Sequence, residues 1–541
     1  MKKGQIIALV LLSLILVVLL AQKTNLAAAD LGRHIKNGEI MIHGGEYGLS
    51  RDALLHTNFF SYTEPDFPFV NHHWASGILF YLIFSVFGWG GLSLFGILLF
   101  VFAFIFLFLL ARKKTSFVFL IPLSLFLLPL IAERAEIRPE IISYLFIAIF
   151  IYILQKFTDS TQTPSAFGTS PLAGGGNKIN PPSPDKGRVG RGWLFLLPIF
   201  MILWANLHIY FIFGLFVIGA FLVESLIRRE TKKVKTLVII LILSTITACI
   251  TPFGVKGLLY PFLIFQNYGY LIAENQSIAF LENINFFKPT ALWWKITAII
   301  GGLSSLFVLI KRPRNFPIAL GIIALAFGIL SFSSIRNFSL FGLVMLPFLA
   351  YLIPLFFKTL PEKISDLMMA GSITISLILL VVIPIRFSYR MPTNDSWGIG
   401  LLPEVNASAE FVKEYKIEGP FFNNYDIGGY LIFHNFPKEK VFVDNRPEAY
   451  PQEFFKEIYV PMQENMEIWK EKSAEYGFNA IWFYRHDFTP WAQKFLIALI
   501  NEPDWAPVFV DDYTIIFLKR NSKNAELIQK FELPKEIFSV K

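Results

Sequence analysis

Long apolar runs constrain this chain more than any other feature. Gly91 to Ala111 carries no charged side chain, and comparable runs recur through the first 385 residues. A bilayer takes about 20 apolar residues of helix to cross. Inside lipid every backbone N–H and C=O must be satisfied within the segment, so the spanning form is a helix or a closed barrel. Composition agrees, since 54% of the 541 residues are hydrophobic and only 16% charged, against about a quarter charged in soluble domains. The expected class is therefore an α-helical polytopic membrane protein.

Eleven spans are expected. They are Gly4 to Ala21, Gly91 to Ala111, Phe117 to Ala132, Ile141 to Gln155, Trp193 to Asn206, Tyr210 to Leu226, Leu237 to Thr251, Ala291 to Ile310, Phe316 to Ser331, Phe338 to Phe357 and Leu367 to Ile385. Lys2 and Lys3 ahead of the first run, with Ala27-Ala28-Ala29 after it, resemble a signal peptide. The rest of the chain is itself embedded, which favours a retained first helix with its lysines inside. The run Ala75 to Gly88 is too short to span and reads as an interfacial segment over 75–88. This register puts Arg112, Lys113, Lys114, Arg228, Arg229, Lys232, Lys233, Lys235, Lys311, Arg312 and Arg314 inside, as the positive-inside rule prefers. The expected location is the cytoplasmic (inner) membrane of a bacterium, among its lipids, with the N-terminus inside.

Residues 157–192 turn to Gly, Pro, Ser and basic residues and read as a disordered inner loop. Gly174-Gly175-Gly176 lacks the flanking strand and helix of a phosphate loop. Residues 1–385 are thus expected to form the membrane domain and 386–541 an extracytoplasmic α/β domain. In the latter, β-type runs at Lys440 to Val443, Ala480 to Tyr484, Pro507 to Val510 and Thr514 to Leu518 alternate with amphipathic stretches at Ala407 to Tyr415 and Gln452 to Tyr459. The net charge of +8 does not point to nucleic acid, because the basic residues sit between apolar runs, where orientation accounts for them. A single cysteine, Cys249, permits no intrachain disulfide.

Chemistry is expected in the first outer loop, Lys23 to Trp74, which gathers Asp30, Arg33, His34, Asp52, Glu64, Asp66, His72 and His73. On the same expected face lie Glu133-Arg134-Ala135-Glu136-Ile137-Arg138-Pro139-Glu140, Asn206 with His208, Lys256, Glu274, Glu282 and Arg336-Asn337. A carboxylate just past an apolar span, such as Asp30, is costly without a partner or water, which invites a functional reading. The histidines His34, His43, His72 and His73 lack the i, i+4 spacing of a zinc helix. Asp444 with Arg446 reads as a stabilised turn, and Tyr425, Tyr430, Trp482 and Tyr484 as buried aromatic core before sugar-stacking surface.

The runs Asp30-Leu31-Gly32-Arg33-His34-Ile35 with Gly38, Asn58-Phe59-Phe60-Ser61-Tyr62-Thr63 and Asn71-His72-His73-Trp74 resemble the first outer loop of the bacterial GT-C glycosyltransferase superfamily. Arg138-Pro139-Glu140, Trp204-Ala205-Asn206-Leu207-His208, Thr251-Pro252-Phe253-Gly254 and Arg336-Asn337 extend the resemblance. Such enzymes take sugars from polyprenyl-phosphate carriers; they include protein O-mannosyltransferases, lipid A sugar transferases and oligosaccharyltransferase catalytic subunits. The resemblance implies a GT-C-like fold and transfer of a hexosyl or pentosyl group to a lipid, glycan or protein acceptor. Asp30 would be the catalytic acid, acting as general base or orienting the acceptor. No Asp-x-Asp pair stands there, so no cofactor is expected and a divalent metal remains open. Arg134, Arg138, Arg336, Lys256 and His208 are the cations available to the donor phosphate, arginine by its planar fork of donors. His34, Glu64, Asp66, His72, His73, Glu274 and Glu282 are the expected acceptor or substrate contacts. The alternative is a non-catalytic envelope protein whose outer domain binds polysaccharide or protein partners. A transporter comes third, since no repeat relates the two halves.

Overall fold

The computed structural model describes residues 3–160, 192–264, 268–270, 272–285, 288–357, 361–390 and 396–538. The loop expected over 157–192 lies outside them, apart from its ends: Phe157 to Ser160 continue a helix, and Gly192 opens the next one. The chain begins with α1 (Lys3–Leu20), α2 (Leu31–His43), α3 (Arg51–His56), α4 (Trp74–Ala111), α5 (Phe117–Ile131) and α6 (Glu140–Ser160). Helices over Leu196–Leu207, Ile212–Ile227, Thr231–Ala248, Pro289–Lys311, Ile318–Ser333, Phe338–Phe356 and Glu362–Arg390 complete the bundle. Each of the eleven apolar runs falls mainly on a helix. Among the described residues six helices are long and apolar enough to cross a membrane: Trp74–Ala111, Glu140–Asp159, Ile209–Ile227, Pro289–Lys311, Ile335–Phe356 and Ile364–Ile383. Shorter apolar helices lie at Gly4–Leu20, Phe117–Ile131, Trp193–Leu207 and Ile318–Ser333.

The helix at Phe338–Phe356 is the axis of the bundle. Its residues from Phe338 to Ala350 are all buried, against α5, α4 and Ile318–Ser333. The helices Pro289–Lys311 and Glu362–Arg390 lie at the periphery and leave Leu303, Leu306, Ile310, Leu367 and Val381 uncovered, the arrangement expected where the surroundings are themselves apolar.

The segment over 75–88 is helical and runs on into the span that follows. A break at Gly88, with φ +62° and ψ −161°, separates the two parts. That conformation is open to glycine at little cost, because it has no Cβ. The first part of α4 lies against α2, and glycine sets the approach: a Cβ on Gly38 would fall 2.0 Å from the Gly77 carbonyl oxygen. Gly38→Ala must push α2 off α4, and overpacking of this kind costs about 1–3 kcal/mol. A lower melting midpoint of the purified protein is the expected result, with loss of the geometry at Asp30, which immediately precedes α2.

The trailing part, from Ser396 on, contains a four-stranded sheet in the order β1-β2-β4-β3, with β1 (Phe421–Asn423), β2 (Ala480–Tyr484), β3 (Trp505–Val510) and β4 (Thr514–Lys519). β1 and β2 are parallel; β2–β4 and β3–β4 are antiparallel. The expected strand at Lys440 to Val443 is not part of this sheet. Val441 pairs with the first loop, accepting from the Tyr62 N–H at 3.1 Å and donating to the Phe60 carbonyl at 3.1 Å. The strand Phe421–Asn423, which the sequence reading missed, takes the sheet position.

The trailing part is sewn to the loop after α1. Lys23 and Thr24 donate to the carbonyls of Ser396 and Gly400, and Leu402 donates to Thr24. One buried apolar cluster joins Leu26, Leu31, Ile35, Leu54 and Phe60 to Leu402, Ile427, Tyr430, Trp482 and Ile516. Asp444 and Arg446 form a fully buried pair, with Nε–Oδ1 2.7 Å and Nη2–Oδ2 2.6 Å, and Arg446 also donates to Asn58 at 2.8 Å. This is the turn the sequence suggested, and it pins the trailing domain to the first loop. Tyr425, Tyr430 and Trp482 are buried core, while Tyr484 is partly exposed and its phenol oxygen accepts from Asn25.

Candidate functional site

Asp30 occupies the position ahead of α2 but makes no side-chain cap to it. Its Oδ2 instead faces Arg33 Nη2 at 3.5 Å and His34 Nε2 at 3.4 Å, on the first turn of the same helix. Oδ1 is buried with no hydrogen-bond partner among the described residues. Burial alone would raise this carboxyl's pKa. The charges of Arg138, His34 and Arg33 outweigh burial and hold it well below the usual carboxylate range. The carboxylate is ionised at neutral pH, with one oxygen committed and one open.

A cavity of about 510 Å³ lies above it, lined by residues from seven stretches of chain. Asp30, His72, His73, Arg138, His208, Glu274 and Arg336 all line it. Seven of the expected site residues thus converge from loops far apart in sequence. Arg134 and His34 stand directly behind its wall, bonded to Glu274 and Asp30 respectively.

Lys256, Glu64, Asp66 and Glu282 do not line the cavity. Lys256 is exposed on the helix Gly254–Leu263, where that helix turns it outward. Glu64 and Asp66 lie at the tip of the first loop, displaced because residues Phe60 to Thr63 are held against Val441 and Phe442. Glu282 pairs with Lys295 at 2.6 Å on the surface.

The cavity's positive wall is a network of arginines and glutamates. Glu140, the first residue of α6 and 1% exposed, accepts from Arg134 Nε at 2.5 Å and from Arg336 Nη2 at 2.8 Å. Glu274 accepts from Arg134 Nη2 at 2.7 Å and from both terminal nitrogens of Arg138 at 3.1 and 3.2 Å. Arg138 also donates to Glu136 at 2.8 Å, and Arg336 to Asn275 at 3.1 Å. Planar guanidinium groups held by carboxylates behind them keep fixed forks of N–H donors, which suits an oxyanion.

A cluster of imidazoles forms the adjoining wall. The ring centroids of His72 and His73 lie 3.8 Å apart, tilted against each other, and that of His73 is 5.2 Å from both His34, which it meets edge-on, and His208, on which it stacks. Burial pushes His72 down to about 3 and His73 and His208 well below the ordinary histidine value, so this wall is neutral. Among the described residues no group of three or more His, Cys, Asp or Glu is placed to hold a metal ion.

His34 titrates at about 4, lowered first by burial and then by Arg33, against the pull of Asp30. Its folded value lies below the unfolded one, so between pH 6.5 and 4 the unfolded chain binds a proton that the folded chain refuses. Stability therefore falls with pH across that window, by on the order of 3 kcal/mol for a shift of this size. Melting curves of the purified protein should move to lower temperature between pH 7 and 4.5, and the slope should flatten in His34→Asn.

Arg33, Tyr210, Tyr268, Asn275, Asn337, Asn445 and Glu448 also line the cavity; the sequence reading gave none of them a donor or acceptor role, although Arg33, Asn337 and Asn445 lie within the motifs it singled out. Asn445 and Glu448 flank the Asp444–Arg446 pair, and a buried ion pair in a turn was the available signal that its neighbours are held in place.

A second opening, of about 390 Å³, is walled by apolar side chains and shares Ile212, Phe213, Phe262 and Leu330 with the polar cavity. It runs between the helices Ile212–Ile227 and Ile318–Ser333. A larger groove of about 570 Å³, lined by Trp294, Gly301, Phe316, Gly321, Phe341 and Met345 among others, has no titratable side chain and lies apart from this chemistry.

No family model matches the sequence, and no curated protein resembles it in sequence. Solved structures do match. The archaeal oligosaccharyltransferase AglB from Archaeoglobus fulgidus, in complex with an inhibitory peptide and a dolichol-phosphate, superposes with a TM-score of 0.59 at 12% identity. The match covers 97% of this chain and 75% of that one. ArnT from Cupriavidus metallidurans, bound to undecaprenyl phosphate, gives a TM-score of 0.50 at 13% identity, over 96% of this chain and 99% of that one. The chain has the GT-C fold. In GT-C terms, the polar cavity sits where the first loop, the bundle and the trailing domain meet. A further structure of the Archaeoglobus enzyme, tethered to an acceptor peptide, matches with a TM-score of 0.57 at 14% identity and covers 96% of this chain and 74% of that one.

Proposed function

We propose that this protein is a membrane glycosyltransferase that moves a sugar from a polyprenyl-phosphate carrier to an acceptor on the extracytoplasmic side of the membrane. The observation that carries the reading is the shape of the site: an arginine-walled polar cavity adjoins an apolar groove between two helices, the two sharing Ile212, Phe213, Phe262 and Leu330 in their walls. That pairing fits a molecule with an anionic head and a long hydrocarbon tail. Arg138 and Arg336 hold the phosphate, with Arg134 behind them keeping Glu274 and Glu140 in place. Asp30 faces the sugar carbon. In the transfer, the bond from the sugar's anomeric carbon to the phosphate oxygen breaks, and its electrons stay on the phosphate, which the guanidinium groups stabilise. The acceptor's nucleophilic atom bonds to that carbon and releases its proton to Asp30.

The GT-C fold and the two lipid phosphates in the similar structures support this donor class. The test is direct binding of undecaprenyl phosphate to the purified protein. Arg336→Ala should weaken it by about tenfold or more, the scale of a lost charge-assisted hydrogen bond. Equal affinity of wild type and Arg336→Ala would overturn the placement of the phosphate.

A further inference from the structure

The trailing domain contributes two side chains to the cavity, Asn445 and Glu448. Three carboxylates line this space: Asp30, Glu274 and Glu448. Asp30 and Glu274 are each matched to guanidinium groups. Glu448 forms no ion pair among the described residues, and the hydrogen bond it accepts comes from its own backbone N–H. A half-buried carboxylate without a partner is costly, and it aims two acceptor oxygens at whatever fills the cavity.

Its mounting is rigid. Glu448 sits in a single turn, Pro447–Ala449, directly after Arg446, whose guanidinium is clamped to Asp444 and Asn58. Tyr450, on the other side, donates to Asp444 and accepts from its backbone N–H. The turn therefore holds Glu448 in one place at the expense of no motion of its own.

Arg33 and Arg446 act on it through charge without bonding to it, and the uncharged groups beside it both donate and accept. Asn445 offers its oxygen to Arg33 at 3.4 Å, and among the described residues its NH₂ makes no hydrogen bond. Tyr268 lines the same wall and accepts from Asn275 at 3.4 Å. The phenols of Tyr260 and Tyr268 both lie within the field of Glu448. A carboxylate that only accepts, amides that donate and accept, and aromatic faces form a surface for hydroxyl groups. Each hydroxyl gives one hydrogen and takes another. An ammonium group would satisfy the carboxylate and leave the amide hydrogens unanswered. A second carboxylate or phosphate would be repelled.

We propose that Glu448, with Asn445, reads the carried sugar: its two oxygens accept from two adjacent hydroxyls of an uncharged hexose or pentose held in the cavity. This assignment rests on the donor reading above and narrows it to uncharged sugars. Glu448 is here a specificity residue, while Asp30 remains the group at the reacting carbon.

The experiment measures binding to the full-length protein in lipid nanodiscs with three probes: undecaprenyl phosphate, undecaprenyl-phosphate-glucose and undecaprenyl-phosphate-glucuronate. In wild type, glucose should add about tenfold or more to the affinity of the bare phosphate, and glucuronate should add nothing. Glu448→Ala should erase the glucose increment with the bare-phosphate affinity unchanged, and Glu448→Gln should keep part of it. Asn445→Ala, which removes no charge, should reduce the increment in a background that folds as wild type. Retention of the increment in both Glu448 variants overturns the proposal. So does equal weakening of all three probes, which marks a structural role, or glucuronate binding as tightly as glucose. Failure of the donor reading is seen separately. If bare undecaprenyl phosphate does not bind while the glucose conjugate binds in a Glu448-dependent way, the sugar assignment stands and the phosphate assignment falls. If none of the probes binds, both fall.

Discussion

Asp30→Asn is expected to lower turnover with a polyprenyl-phosphate sugar by about 10²- to 10⁴-fold, the usual contribution of a positioned proton acceptor. The amide keeps the shape of the carboxylate and can still accept from His34 or Arg33 through its oxygen. What it loses is the charge and the ability to take a proton. In the free protein Arg138, His34 and Arg33 depress the Asp30 carboxyl so far that it is a weak base. In the proposed reading, a donor phosphate bound to Arg138 would offset that guanidinium charge and raise the basicity of Asp30, so that the carboxylate would become competent once the substrate is in place. Binding of undecaprenyl phosphate without sugar should be undiminished in Asp30→Asn, while its melting midpoint at pH 7 should fall, because the ionised carboxylate stabilises the fold through Arg138 and Arg33. Single-turnover measurements separate the two effects. Turnover equal to wild type would remove Asp30 from the reaction.

Glu140→Ala is expected to be the most destabilising single change in the cavity wall. Glu140 is buried at the start of α6 and holds Arg134 on one oxygen and Arg336 on the other. Removing it leaves two guanidinium groups in a desolvated site with Glu274 and Asn275 as their remaining partners. Breaking a buried ion pair by deleting one partner costs about 3–5 kcal/mol, because the surviving charge has lost its solvent and its counterion. Glu140→Ala should therefore yield little folded protein, or protein with a much reduced melting midpoint. Adding Arg336→Met to Glu140→Ala removes one of the stranded charges, and the double variant should recover part of the loss. Melting of Glu140→Ala at the wild-type midpoint would show that the network carries no folding energy.

The membrane plan could be read from the chain because it depends on local composition. A run such as Gly91 to Ala111 has no charged group to keep in water, and its helix follows from backbone satisfaction alone. That Asp30, Arg138, His208 and Arg336 line one cavity could be anticipated, since each is a polar group near the end of such a run. Lys256 shows the limit: it too sits near a run's end, yet the helix Gly254–Leu263 turns it away from the cavity. Glu64 and Asp66 failed for a related reason, as the pairing of Phe60 and Tyr62 with Val441 moves the loop tip aside.

The order of helices, the polar loop that follows the first of them and the acid at its foot belong to the sequence, because hydrophobic runs and the cost of a charge near lipid act over neighbouring residues. The counterion of each arginine, the approach of α2 to α4 through Gly38 and Gly77, and the arrival of Glu448 from more than 400 residues away do not. Those were decided by tertiary packing: a carboxylate's partner is set by which loops meet in space, and loop closure between distant segments leaves no periodic trace in the chain.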